Sequence, residues 1–89
     1  MAQLNGKVVI VTGAARGIGQ AIATKMAAAG ADIALCDLQK DWLVETEALV
    51  KNLGRRAATY AVDVSKTEDV QAVVDQVEKD FGRIDGPSS

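Results

Sequence analysis

Histidine is absent from this 89-residue chain, which removes the commonest general base and most metal-ligand sets. The single cysteine, Cys36, rules out an internal disulfide and fits a reducing compartment. It lies in an apolar run and reads as a small buried hydrophobe rather than a nucleophile. Aromatic residues make up only 3%, so the core must be built from Ala, Val, Ile and Leu, and there is no platform for stacking bases. A net charge of −2 with no basic run argues against a nucleic-acid surface. No apolar run approaches the ~18 residues that span a bilayer, and no charged-then-apolar leader opens the chain. The expectation is a soluble, cytoplasmic protein without a membrane partner.

Against these absences stands a hydrophobic fraction of 48%, ample for one small core. Three strand-like runs alternate with three helix-like runs, and glycines punctuate the joins. Lys7–Val11 reads as a strand, Gly17–Ala29 as a helix closed by Gly30, and Ala31–Asp37 as a second strand. Lys40–Leu53 follows as a helix with Leu43, Leu49, Val50 and Leu53 on one side and Gly54 at its end. Ala57–Val62 is the third strand. The third helix carries Val70, Val73, Val74, Val77 and Phe81 at helical spacing. Ser65 and Glu68 stand at capping-box spacing before it, and Gly82 ends it. Arg83-Ile84-Asp85 looks like the start of a fourth strand that Gly86-Pro87-Ser88-Ser89 then disfavours. The alternation predicts α/β architecture: half of a doubly wound Rossmann-type parallel sheet, β-α-β-α-β-α, in strand order 3-2-1. The first two helices should cover one face and the third begin the crossover to the other. Residues 1–85 are expected to form this dinucleotide-binding domain and 86–89 a tail outside it.

Thr12-Gly13-Ala14-Ala15-Arg16-Gly17-Ile18-Gly19 joins the first strand to the first helix through three glycines. Gly13 permits a tight turn off the strand, and Gly17 removes a Cβ where phosphates would approach. Gly19 lets the helix lie close to the sheet. The turn places backbone N–H groups at the positive end of a helix dipole, where a pyrophosphate can sit. The plain alternative is a set of ordinary turn and packing glycines, which the strand and helix on either side make the weaker reading.

Asp37 ends the second strand about 20 residues beyond the turn, where a carboxylate can accept from adenosine ribose hydroxyls. Its charge would oppose a 2′-phosphate, so NAD is favoured over NADP. Arg16 beside the turn pulls the other way, and the other role open to Asp37 is capping the next helix. Asp63-Val64 closes the third strand at the same sheet edge, where the carboxylate could accept from the adenine amino group and the Val64 backbone face the ring. Asp63 could equally be a loop residue or a cap for the third helix. Trp42 reads as packing rather than as a cofactor stack.

Taken together, Thr12-Gly13-x-x-x-Gly17-x-Gly19, Asp37, Asp63-Val64 and Phe81-Gly82-Arg83-Ile84-Asp85 resemble the N-terminal part of the short-chain dehydrogenase/reductase family, from about Gly6 to Asp85. No Gly-Lys-Ser/Thr follows Gly13 as in a P-loop, and the Gly-x-Gly-x-Gly turn of many methyltransferases is missing. The resemblance implies that Gly13, Arg16, Gly17, Ile18 and Gly19 form the phosphate-binding segment. It likewise makes Asp37 the ribose-binding acid of NAD-preferring members and Asp63 with Val64 the adenine-binding pair. The implied reaction is hydride transfer between a nicotinamide and a secondary alcohol or ketone.

Family members continue past the Arg83-Ile84-Asp85 position into a strand and an Asn-Asn-Ala-Gly segment, and carry a catalytic Ser and Tyr-x-x-x-Lys beyond it. Tyr60 is the only tyrosine here and Val64 stands four places on, so this chain alone is expected to be inactive. Without a fourth strand, Val8–Val11 would present an open apolar edge through which copies could self-associate. The competing reading is a non-catalytic nucleotide-binding or self-assembling fragment, with a methyltransferase-like cofactor domain as a weaker third.

Overall fold

A computed structural model describes residues 6–15, 17–82 and 86–88. The sheet begins with β1 (Val8–Thr12), β2 (Asp32–Asp37) and β3 (Ala57–Ala61), with α1 (Gly17–Ala28) between the first two. A 3₁₀ turn (Lys40–Leu43) leads into α2 (Val44–Asn52), and α3 (Thr67–Phe81) follows β3. β4 (Gly86–Ser88) completes a parallel sheet of order β3-β2-β1-β4. The β-α-β-α-β-α unit and its 3-2-1 order are those expected from the sequence.

Strand alternation divides the core into two layers. Val9 and Val11 of β1 join Ile33 and Leu35 of β2 on the face covered by Ala23 and Ala27 of α1, with Leu43 and Val50. Val8 and Ile10 join Ala34, Cys36 and Tyr60 on the opposite face, under Val73 and Val77 of α3. The Ala-rich face of α1 lets that helix lie close to the sheet, which brings its N-terminus to the carboxyl end of β1.

Three expectations change. The segment after β2 is not one helix: Trp42 N–H donates to the Gln39 carbonyl in a 3₁₀ pattern, and α2 starts only at Val44. Its inward side carries Leu43, Thr46 and Val50, spaced by three and four residues, while Leu49 and Leu53 are exposed. A threonine thus takes the core position where leucines were expected, because its hydroxyl has buried partners described below. At α3, Ser65 does not cap the helix. Its backbone N–H and its hydroxyl both donate to Asp63 Oδ1, at 3.0 and 2.6 Å, and the residue before Thr67 makes no side-chain cap. Gly82 ends α3 as expected, at φ 83° with its N–H on the Glu78 carbonyl.

The third change concerns the sheet edge. Gly86, Pro87 and Ser88 pair in parallel with Val9, Ile10 and Val11. An outer strand tolerates proline because only one side needs ladder donors. β1 is therefore interior, between β2 and β4, and the expected self-association through an open β1 edge loses its premise. Arg83-Ile84-Asp85 lies outside the described residues. Among the described residues, no helix is long and apolar enough to cross a membrane.

Candidate functional site

The carboxyl ends of β1, β2 and β3 and the N-terminus of α1 converge at one edge of the sheet, the usual ligand position in an open α/β fold. The glycines between β1 and α1 do different work from one another. Gly13 and Gly17 both have positive φ, 64° and 63°, a region that costs an L-residue roughly 1–2 kcal/mol. A Cβ at either position would meet open space, so conformation alone demands glycine there. Gly19 is the reverse case. A Cβ there would lie 2.6 Å from the Gly13 carbonyl carbon and closer still to its oxygen. The third glycine thus permits the helix to cross its own turn, a closer contact than the helix–sheet approach expected of it.

The first turn of α1 contains no acidic residue, and its leading N–H groups have no intrahelical acceptors. Ile18 is 80% exposed in that turn. Arg16 lies outside the described residues.

At the end of β2, the Asp37 carboxylate holds the neighbouring backbone with both oxygens. Leu38 N–H donates to Oδ1 at 2.8 Å and Ala15 N–H donates to Oδ2 at 3.2 Å. It does not cap a helix, since Gln39 precedes the 3₁₀ turn and gives it no side-chain cap. A carboxylate offers about four lone-pair sites, so acceptor capacity remains on Asp37.

A cleft of about 200 Å³ is lined by Gly13, Cys36, Asp37, Leu38, Val62, Asp63 and Val64. Four of the expected site residues, Gly13, Asp37, Asp63 and Val64, therefore share one cavity, while Gly17, Ile18 and Gly19 lie along the adjoining helix start. Ser65, through its hydroxyl and then its backbone N–H, holds the Asp63 carboxyl below its ordinary range. The described lining contains two carboxylates and no cationic side chain. Burial pushes the Cys36 thiol up to about 12, with the Asp37 charge adding to it, so this cysteine is an inert wall of the cleft. Trp42 is not among the lining residues. Among the described residues, no cluster of three or more His, Cys, Asp or Glu side chains could hold a metal ion.

Two contributors escape a reading of the sequence. Leu38, 57% exposed, lines the cleft with Val64, 61% exposed; an apolar residue directly after the strand-ending acid was the available signal. Thr46 is the other. It is buried in α2, and its hydroxyl donates to the Ala14 carbonyl at 2.8 Å. No sequence signal reveals that contact.

The sequence matches the short chain dehydrogenase family over residues 7–86. A sorbose reductase of Candida albicans is 43% identical over 92% of this chain and 29% of its own length. A probable NADP-dependent mannitol dehydrogenase of Yarrowia lipolytica is 40% identical over 92% of this chain and 30% of its own. Among solved structures, the carveol dehydrogenase of Mycobacterium avium in complex with NAD superimposes with a TM-score of 0.90 at 35% identity. That match covers 98% of this chain and 36% of the other. The chain therefore spans about 30% of the length of these curated relatives.

Proposed function

The chain belongs to the short-chain dehydrogenase family, and we propose that it forms the nucleotide-binding part of an NAD-linked oxidoreductase. Bound there, the dinucleotide would supply a hydride acceptor or donor for a secondary alcohol or ketone. The residues present fit such a group: positive-φ glycines leave the turn open, and the helix start offers unpaired N–H groups to a pyrophosphate. Asp37 has acceptor capacity left for ribose hydroxyls, and Asp63 is an ionised acceptor beside it. Leu38 and Val64 supply apolar contact for an adenine ring.

The observation that carries the NAD assignment is the charge of the cleft. Two carboxylates line it without a described cation, so a 2′-phosphate would enter against like charge. Arg16 at the turn remains the opposing feature. Within the 89 residues, Tyr60 is directed elsewhere: its hydroxyl donates to Asp80 Oδ2 at 2.7 Å, and Val64 follows it by four. A Tyr-x-x-x-Lys proton donor is not encoded in these residues, so hydride transfer is expected only where the parent family's remaining two thirds are present. The lone cysteine, held as an unreactive thiol, fits a cytoplasmic setting.

Titration of isotopically labelled chain with NAD and with S-adenosylmethionine tests this reading. NAD should shift the amide signals of Gly13, Leu38, Asp63 and Val64, and S-adenosylmethionine should not. Equal or preferential response to S-adenosylmethionine would replace the oxidoreductase assignment with a methyltransferase-like one.

A further inference from the structure

We propose that Thr46 is a positioning residue for the phosphate-binding turn, acting through the Ala14–Ala15 peptide from the side away from the ligand. This rests on the dinucleotide-site reading above. Thr46 is fully buried, in the inward face of α2, more than thirty residues from the turn in sequence. Its hydroxyl donates to the Ala14 carbonyl at 2.8 Å and lies 3.3 Å from the Ala15 carbonyl. Gln20 Nε2, from the first turns of α1, donates to the same hydroxyl oxygen at 3.0 Å. The Ala14 and Ala15 carbonyls can only accept and the Gln20 amide nitrogen can only donate, so the single hydroxyl hydrogen is committed to the turn.

The geometry of one peptide plane then does the rest. No peptide bond in the described chain is cis, so the Ala14 carbonyl and the Ala15 N–H point in opposite directions. Thr46 holds the carbonyl on the inner side, and Asp37 Oδ2 accepts from the Ala15 N–H on the outer side at 3.2 Å. The plane is pinned at both ends, and the direction in which the turn enters α1 is set with it. A turn left to rotate would bring carbonyl oxygens, rather than N–H groups, toward an incoming phosphate. Buried carbonyls also need a partner, and Thr46 is the side chain that supplies it for Ala14.

The hydroxyl therefore matters for phosphate recognition and little for adenosine recognition, which uses Asp37, Asp63 and Val64. That separation provides the test, with ADP and adenosine as probes of the 89-residue chain. Thr46→Val keeps the shape and removes the hydrogen bond; it should weaken ADP about tenfold while adenosine changes less than about twofold, the scale of one lost buried hydrogen bond. Thr46→Ser should return ADP affinity to near the wild-type value. Gln20→Ala, at the half-buried helix start, should give a smaller loss of the same selective kind, and it decides the matter if Thr46→Val does not fold. Equal weakening of both probes in these variants, or no weakening of ADP, would overturn the positioning role while leaving the dinucleotide site intact. Failure of the wild-type chain to bind either probe would overturn the site and this role together.

Discussion

Ala15 N–H donates to Asp37 Oδ2 at 3.2 Å, so the acid at the end of β2 also ties down the turn that follows β1. With Leu38 N–H on the other oxygen, the same carboxylate orders both loops that border the cleft. Asp37→Asn should therefore have two separable effects. Stability should fall by about 1 kcal/mol, the loss expected for a half-exposed charged hydrogen bond, lowering Tm by roughly 4–8 °C. The ratio of NAD to NADP affinity should drop by at least about tenfold, since only ~1.4 kcal/mol of repulsion need be relieved. Calorimetry on the pair of cofactors measures both; an unchanged ratio would remove Asp37 from the ribose end of the site.

Gly19 and Gly17 should fail differently when replaced. Gly19→Ala drives a methyl into the Gly13 backbone, which cannot swing aside like a side chain, and should cost about 1–3 kcal/mol. Gly17→Asn keeps a residue that tolerates positive φ and should be much milder than Gly17→Ala. Denaturant midpoints compare the three, and a harmless Gly19→Ala would contradict the close crossing of helix and turn.

The pH dependence has two sides. Burial raises the Tyr60 hydroxyl, helped by its bond to Asp80, and burial raises the Cys36 thiol to about 12. In the unfolded chain both lose their protons first, at ordinary values of about 8.5 and 10, so their contribution is complete below those values and is lost as pH climbs above them. Asp80 is held low by the Tyr60 hydroxyl and then by Gln76, and Asp63 by Ser65. Their contribution is present above pH ~4 and is lost on further acidification. Urea midpoints should therefore be flat through neutrality and fall at both ends. Tyr60→Phe should shrink the alkaline fall and the Asp80 part of the acid one; an unchanged profile would contradict the Tyr60–Asp80 bond.

Cys36 should be silent toward a thiol reagent in the folded chain at pH 8, with a rate that follows unfolding rather than reagent concentration. The thiol is fully buried and its proton is held by burial. A fast second-order reaction without denaturant would place Cys36 at the surface of the cleft instead.

Much of the fold was legible because its signals are local. The glycines at 13, 17 and 82 all need positive φ, and a positive φ advertises itself in sequence. Unbroken apolar runs at Val8–Val11 and Ile33–Cys36 supply both sheet faces, and the two core layers take alternate residues of each. The misreadings involve competition between partners. Ser65 sits at capping-box spacing from Glu68, yet Asp63 two residues earlier takes both its N–H and its hydroxyl. Gly86-Pro87 disfavours a strand by propensity, but pairing with β1 on one side only asks less of a strand than propensity assumes. Thr46 was the least legible residue of the site. Its partners are the carbonyls of Ala14 and Ala15, and a threonine in a helix has no sequence mark for a distant backbone acceptor.

The central claim is that this cleft takes a dinucleotide with a free ribose 2′-hydroxyl, and the affinity of the wild-type chain for NAD relative to NADP tests it most directly. Measured side by side at one ionic strength, NAD should bind at least about tenfold more tightly, because a 2′-phosphate at the proposed ribose end would meet the Asp37 carboxylate, with the Asp63 charge in the same cleft and no cation in the described lining. Equal affinity, or tighter binding of NADP, would contradict the account and shift the weight to Arg16.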